Sequence, residues 1–292
     1  MIVRGTERLL VQGITGKQGS FWTERMQEYG SRIVAGVNPR KAGETHCGVP
    51  VYASARDAAA DDAIDVSVLF IPPLAVRDAA LDAIEAGVKK LVILTEHIPV
   101  QDVMFFLSAA RANGARVLGP NTAGLVTPGE CFAGFMPAFS ESIFRPGSIG
   151  VISRSGSLGT LICLNLVQAG YGESAFVGIG GDPIIGTTTR DALEALDRDD
   201  KTRAVVMVGE IGGAMEEEAA DYAATMSKPV VAFIAGQASP PGKKMGHAGA
   251  IVMGDQGTYA SKRTALEQAG VTVLDTPSDV GGAISELTAP DL

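Results

Sequence analysis

Short runs rich in valine, isoleucine and leucine alternate with amphipathic stretches along the whole of this 292-residue chain, and that alternation narrows the possible folds more than any other feature. In the first part "RLLVQGI", "RIVAGV", "VSVLFIP", "KLVILTE" and "ARVLGP" recur at intervals of about 25 to 35 residues, with helical patterns such as "SFWTERMQEYG" and "VRDAALDAIEAG" between them. The rhythm restarts after "FRPGS", where "IGVISRSG", "SAFVGIGG", "RAVVMVGEIGG", "KPVVAFIAG" and "VTVLD" alternate with four more amphipathic stretches. Strands joined through helices must run parallel, so the pattern predicts two parallel α/β sheets. The boundary falls in "TPGECFAGFMPAFSESIFRPGS", which has no clean period and holds three prolines and three glycines. The expected division is therefore 1–125 and 147–292, joined by a linker over 126–146. No repeat appears beyond the βα unit.

Composition excludes several classes. Hydrophobic residues at 46% and charged residues at 20% are those of an ordinary globular protein. The longest apolar runs are far short of the roughly 20 residues a membrane-spanning helix needs. A net charge of −9 opposes nucleic acid and anionic membranes as partners, while an anionic small molecule can still be held by local N–H groups and one or two lysines. Cys47, Cys131 and Cys163 are odd in number and widely separated, which argues against a disulfide framework and a structural zinc site. The first residues, "MIVRGTERLLVQG", lack the pattern of a secretory leader, so a cytoplasmic protein is expected.

Ligands of open parallel sheets bind beyond the carboxyl ends of the strands. There the chain concentrates its glycines. "QGITGKQGS" follows the first strand with Gly13, Gly16 and Gly19 at three-residue spacing, so that N–H groups can turn toward a phosphate at a helix start, with Lys17 adding a charge. Many α/β proteins use such a loop merely to turn. The second strand ends "GVNPRKAG", with Arg40 and Lys41 where an NAD site would carry an acid. Two cations suit a phosphorylated ribose, as in NADP or coenzyme A, although a solvated turn explains them equally well. Later strand ends contribute "FIPP", "TEHIP" and "GPNTAG", which suit the walls of an extended site or simple strand termination. His46 and His97 read as hydrogen-bonded loop residues, and no metal site is indicated.

The second lobe repeats the arrangement. "VISRSGSLGT" offers Ser155, Gly156, Ser157 and Leu158 at a helix start, where Ser N-capping and anion binding are compatible. "VMVGEIGG" ends an apolar strand on Glu210, a position hard to explain by solvation, and the natural partner of that carboxylate is an imidazole. His247 lies in "KKMGHAGAIV" after a Pro-Pro-Gly turn, among residues too small to hide it, as on a mobile loop that presents its ring to successive partners. Covalent catalysis by such a ring means carrying a phosphoryl group. The stretch from Gly236 to Lys243 fails as a Walker A loop, so a nucleotide would sit on another chain.

Together, "QGITGKQG", "GVNPRKAG", "TEHIP", "GPNTAG", "SRSGSLG", "VGIGGDP", "GEIGG" and "MGHAGAI", in this order over nearly the whole length, resemble the α subunits of succinyl-CoA synthetase and related carboxylate–CoA ligases. The resemblance implies an N-terminal Rossmann-like CoA-binding domain and a C-terminal flavodoxin-like domain that carries the phosphohistidine loop. It implies that His247 is phosphorylated and that Glu210 orients it. It assigns coenzyme A to Gly16, Lys17, Gln18, Gly19, Val37, Pro39, Lys41, Pro72, Thr95, Glu96, Ile98 and Asn121, and the phosphohistidine's anion to Ser155, Gly156, Ser157 and Leu158. A β subunit of ATP-grasp type would bring Mg-ATP or Mg-GTP, in an αβ or α2β2 assembly belonging to the tricarboxylic acid cycle. The phosphoryl group would pass from nucleotide to His247, then to a small dicarboxylate, and be displaced by CoA. Thr122, Leu161 and the histidine-free "FMPAFSESIFRPG" depart from the family pattern, which leaves succinate and malate both open as substrate. Two rival readings are an NADP-linked oxidoreductase, which gives His247 and Glu210 no role, and a non-catalytic CoA-binding regulatory protein.

Overall fold

The computed structural model describes residues 1–239, 246–252 and 257–287. The chain divides into two compact units, one of Val3–Phe139 with Ile184–Thr187, the other of Ser140–Pro183 with the residues from Thr188 on.

The first unit is built on β1 (Arg8–Gln12), β2 (Arg32–Val37), β3 (Thr45–His46), β4 (Val49–Tyr52), β5 (Val66–Leu69), β6 (Lys90–Ile93) and β7 (Arg116–Leu118), with α1 (Lys17–Tyr29), α2 (Ala55–Asp61), α3 (Val76–Glu85) and α4 (Val100–Ala112) as crossovers. The sheet order is β3-β4-β2-β1-β5-β6-β7. Only the two-residue β3 pairs antiparallel. With it set aside, the strands read 3-2-1-4-5-6 in chain order, the doubly wound Rossmann arrangement. Central strands such as β5 are buried at every residue, as strands covered on both faces must be. β1 pairs with β2 on one side and β5 on the other, so the chain reverses its winding there and a crevice opens beyond Gln12 and Leu69.

Residues read from the sequence as a linker contain a hairpin, β8 (Gly124–Thr127) and β9 (Cys131–Gly134), antiparallel from Gly124↔Gly134 to Thr127↔Cys131. Every residue of both strands is buried, so no alternation marks them in the sequence. The hairpin is anchored in the first unit: Thr127 Oγ1 donates to Val3 O at 2.6 Å and Ser31 Oγ donates to Phe132 O at 2.7 Å. A segment from much later in the chain also belongs to this unit. Gly186 N–H donates to Gly119 O at 2.8 Å and Thr187 Oγ1 donates to Val117 O at 2.7 Å.

In the second unit β10 (Pro146–Ser153), β11 (Glu173–Gly178), β12 (Ala204–Glu210), β13 (Val230–Ala235) and β14 (Thr272–Leu274) run parallel in the order β14-β13-β12-β10-β11. Numbered within the unit and read from β11 to β14, this is 2-1-3-4-5, the flavodoxin-like order. Its helices are α5 (Gly156–Gln168), α6 (Thr189–Asp197), α7 (Met215–Ala223), α8 (Tyr259–Gln268) and α9 (Val280–Leu287). Side-chain caps from Ser155, Thr188 and Thr258 start three of them. No described helix is long and apolar enough to cross a membrane.

Glu173, the first residue of β11, is buried and accepts Arg145 N–H through Oε2 at 3.0 Å, while its Oε1 finds no hydrogen-bond partner. Burial pushes its carboxyl up to about 8. The folded chain therefore keeps a proton that the unfolded chain loses near 4.5, and stability falls as pH rises between those values. Glu173→Gln keeps the acceptor and removes the titration. Its melting temperature is expected to exceed that of the parent by several degrees at about pH 8 and to match it near pH 4, as scanning calorimetry would measure.

Candidate active site

The switch crevice of the second unit lies between the ends of β10 and β12. A cleft of about 320 Å³ opens there, lined by Ser155, Ser157, Leu158, Glu210, Ser239 and His247 among others. Glu210 is the last residue of β12, and its side chain is 8% exposed against 31% for His247. Nδ1 of His247 lies 2.7 Å from Glu210 Oε2. That bond raises the pKa of the imidazole above its ordinary value, against the lowering effects of partial burial and of Arg154. With Glu210 accepting the Nδ1 proton, Nε2 is the ring atom left for chemistry.

The glycines explain themselves once the ring is placed. A Cβ on Gly181, in the loop after β11, would lie 2.5 Å from His247 Cγ. One on Gly249 would meet Arg154 Nη2 at 2.7 Å, and one on Gly212 would meet Gly249 O at 2.3 Å. The residues around His247 are small because a guanidinium, a ring and a second loop close on the same point. Gly249 N–H donates to Gly181 O at 3.2 Å and Ala250 N–H donates to His247 O at 3.2 Å, which fastens the segment. The Pro-Pro-Gly turn, Lys243 and Met245 lie outside the described residues.

Ser155 caps α5, its Oγ accepting Leu158 N–H at 3.4 Å and lying 3.2 Å from Ser157 Oγ. Behind Glu210 stands a group of charges that the sequence did not bring out. Arg154, 3% exposed, places Nη2 3.2 Å from Glu210 Oε1 as an ion pair without hydrogen-bond geometry. Its Nη1 lies 3.5 Å from Glu216 Oε1, and Lys262 Nζ bonds Glu216 Oε2 as well as Glu217 Oε2 at 2.9 Å. Arg154 was hidden between serines, Glu216 in an acidic run and Lys262 in a polar helix.

In the first unit a cleft of about 690 Å³ occupies the other switch crevice. Of the residues that the resemblance assigned to coenzyme A, Gly16, Val37, Pro39 and Pro72 line it. So do Thr15, Asn38 and Arg40, which the resemblance did not assign. Asn38 Nδ2 donates to Thr15 Oγ1 and its Oδ1 accepts Arg40 N–H at 3.0 Å, tying the first glycine loop to the end of β2. Gly13, at φ +78, would set a Cβ 2.2 Å from Phe70 O, and Gly19 would set one 2.1 Å from Gly13 O, so both are needed for the loop to close. Gly16 gives α1 no side-chain cap, which leaves N–H groups at the helix start for an anion.

Lys17 and Gln18 are exposed at that start, and Gln18 Oε1 accepts Trp22 Nε1–H at 3.1 Å. Lys41 pairs with Glu44 at 3.3 Å and is not among the lining residues, whereas Arg40 is. Thr95 Oγ1 donates to Ile71 O at 2.7 Å and Asn121 N–H donates to Thr95 O at 3.0 Å. Glu96 is exposed, and the Ile98 side chain is packed in the core of the unit. His46 Nε2 lies 2.7 Å from Ser20 Oγ, and His97 is exposed beside Glu96 at 3.7 Å. Thr122 is buried, with Oγ1 accepting Gly124 N–H at 2.9 Å, and Leu161 is 39% exposed on α5.

The position of the ring predicts its titration. In an NMR titration of the three histidines, Glu210→Gln should bring His247 down toward or below 6.5. Gly181→Ala should do the same by pushing the ring off Glu210, with the unfolding transition little changed.

Two family models match the chain, one described as a CoA binding domain over residues 5–97 and one described as CoA-ligase over 152–272. A succinate–CoA ligase [ADP-forming] subunit alpha of Methanothermobacter thermautotrophicus is 51% identical over 94% of this chain and 92% of its own length. An ADP-forming sulfoacetate–CoA ligase subunit of an Acholeplasma species is 43% identical over 96% and 95%. Among solved structures, ATP citrate lyase of Methanothrix soehngenii, in complex with citrate and coenzyme A, superposes with a TM-score of 0.87 at 24% identity, a likeness of fold. That match covers 98% of this chain, which spans 50% of the lyase chain. A dinucleotide-forming acetyl-coenzyme A synthetase of Ca. Korarchaeum cryptofilum superposes with a TM-score of 0.75 at 26% identity, over 94% of this chain and 59% of its own. With a CoA binding domain over the first crevice, a CoA-ligase domain over the second and this identity along nearly its full length, the chain belongs to the family of succinate–CoA ligase α subunits.

Proposed function

We propose that this chain is the α subunit of an ADP-forming ligase that joins CoA to a small dianionic acid, succinate in the first instance, through a phosphohistidine at position 247. The observation that carries the reading is the 2.7 Å contact between His247 Nδ1 and Glu210 Oε2, in a cleft shared with the start of α5. A carboxylate that holds the Nδ1 proton leaves the Nε2 lone pair to attack the γ-phosphorus of ATP as the bond to ADP breaks. The new phosphoryl charge faces the N–H groups of Gly156 and Ser157 and the hydroxyls of Ser155 and Ser157. Transfer to the acid's carboxylate frees Nε2 and makes an acyl phosphate, and attack of the CoA thiolate on its carbonyl expels phosphate.

In this reading the first-unit cleft holds CoA, with Gly16 and Lys17 on the diphosphate and Arg40 toward the phosphorylated ribose. The Mg-nucleotide belongs to a β subunit of ATP-grasp type, in an αβ or α2β2 assembly in the cytoplasm. Magnesium would offset charge on the transferring phosphoryl group. The relative named as a sulfoacetate–CoA ligase subunit favours one alternative acid, sulfoacetate, with the same phosphohistidine.

Three outcomes test the proposal. Incubated with its β subunit and γ-labelled ATP, the chain should take up acid-labile, alkali-stable label. His247→Ala should take up none, and Glu210→Gln should label slower by on the order of 10²-fold. An unlabelled parent chain would instead fit the non-catalytic CoA-binding protein. Thioester formation with succinate and with sulfoacetate, measured side by side, decides the acid. Because the one tryptophan donates to Gln18, CoA should change its fluorescence, and Lys17→Ala or Arg40→Ala should raise the CoA concentration required.

A further inference from the structure

A histidine beside a carboxylate faces a conflict. The bond that orients the ring also favours the imidazolium, in which Nε2 carries a proton and cannot attack. The charges behind Glu210 bear on this directly. Glu210 engages the ring with Oε2 at 2.7 Å, and its other oxygen, Oε1, lies 3.2 Å from Arg154 Nη2. Arg154 is shared: its Nη1 donates to Gly212 O at 3.3 Å and lies 3.5 Å from Glu216 Oε1. Glu216 is fully buried, accepts Glu210 N–H at 3.4 Å, and is held from behind by Lys262.

We propose that Arg154 is a positioning residue that acts through Glu210, drawing off enough of its charge for the carboxylate to orient His247 while Nε2 stays unprotonated, and that Glu216 sets how much of Arg154 is available to Glu210. The inference rests on the phosphohistidine reading for its catalytic consequence. The charged groups facing the ring are Glu210 on β12, Arg154 before α5, Asp182 after β11 and, behind them, Glu216 and Glu217 on α7 and Lys262 on α8. Glu210 and Glu216 are buried against Arg154 and Lys262, with Glu217 at the partly exposed margin of the group. Losing Arg154 would leave carboxylate charge beside the ring unopposed and favour the imidazolium further, and losing the charge of Glu216 would disfavour it. Arg154 acts against protonation of His247, as its opposition to the effect of Glu210 indicates.

Substitution of the two neighbours should therefore move one ring in opposite directions. In the full-length chain, labelled at histidine Cε1 and assigned with His247→Ala, Arg154→Gln should raise the His247 pKa by about one unit and Glu216→Gln should lower it. Arg154→Lys should restore much of the parent value. In the complex with its β subunit, Arg154→Gln should label with ATP roughly tenfold slower than the parent at about pH 6.5 and recover most of the difference near pH 9. Glu216→Gln should shift the profile to lower pH. Loss of labelling by the same factor at every pH, with an unmoved His247 titration, would mean that Arg154 only holds the loop together and would overturn the inference. Shifts of the same sign in both variants would overturn it too. If Arg154→Gln does not fold, Glu216→Gln and Arg154→Lys still decide. A parent chain that takes no label defeats the phosphohistidine reading instead, and leaves the titration as a direct test of Arg154.

Discussion

A carboxylate at the buried end of β12 needs charge partners, and much of the second unit is arranged to supply them. Glu210 receives the imidazole of His247 from one loop, the guanidinium of Arg154 from another, and gives its own N–H to Glu216. Removing one member of such a buried group strands the others, at a cost of about 3–5 kcal/mol where the pair is well shielded. The glycines at 181, 209, 212 and 249 are the steric counterpart. Side chains at these positions would occupy the space that the ring, Glu216, the histidine loop and the guanidinium fill.

The two units reach their clefts by one physical route. Parallel strands that wind outward in both directions from a central strand leave a crevice at its carboxyl end, and the following helix turns its first N–H groups toward it. They differ in how those groups are satisfied. α1 begins at Gly16 with no side-chain cap, which suits a diphosphate resting directly on the backbone. α5 begins at Ser155, whose hydroxyl already takes Leu158 N–H at a long 3.4 Å, a bond loose enough to be shared with an arriving anion.

Most of the architecture was legible because parallel sheets announce themselves. Continuous apolar runs such as "VSVLF" and "AVVMVGE", separated by amphipathic stretches, gave both sheets, and the glycine loops gave the ends that matter. The hairpin over Gly124–Gly134 was missed because every residue of its two strands is buried and its glycines resemble a linker. His247 and Glu210 stood out by chemistry: each is a polar group in an apolar or glycine setting. Arg154, Glu216 and Lys262 did not, since charges in loops and on helices normally signal solvent and only three-dimensional closure reveals them as buried. Lys41 and Arg40 are a finer case. Sequence alone cannot tell which of two adjacent cations faces the cleft, because a single turn of 3₁₀ helix over Pro39–Lys41 sends one toward Glu44 and the other inward.

The segment Ile184–Thr187 gives the chain an order of events as well as a shape. It leaves the second unit after β11, bonds Gly119 and Val117, and returns to start α6. The first unit is therefore discontinuous, and during synthesis its last four residues emerge only after the leading strands of its neighbour. Separate expression of the halves cut between Phe139 and Ser140 would leave the carbonyls of Val117 and Gly119 without their donors from Thr187 and Gly186, so the first unit is complete only in a chain that extends to the start of α6.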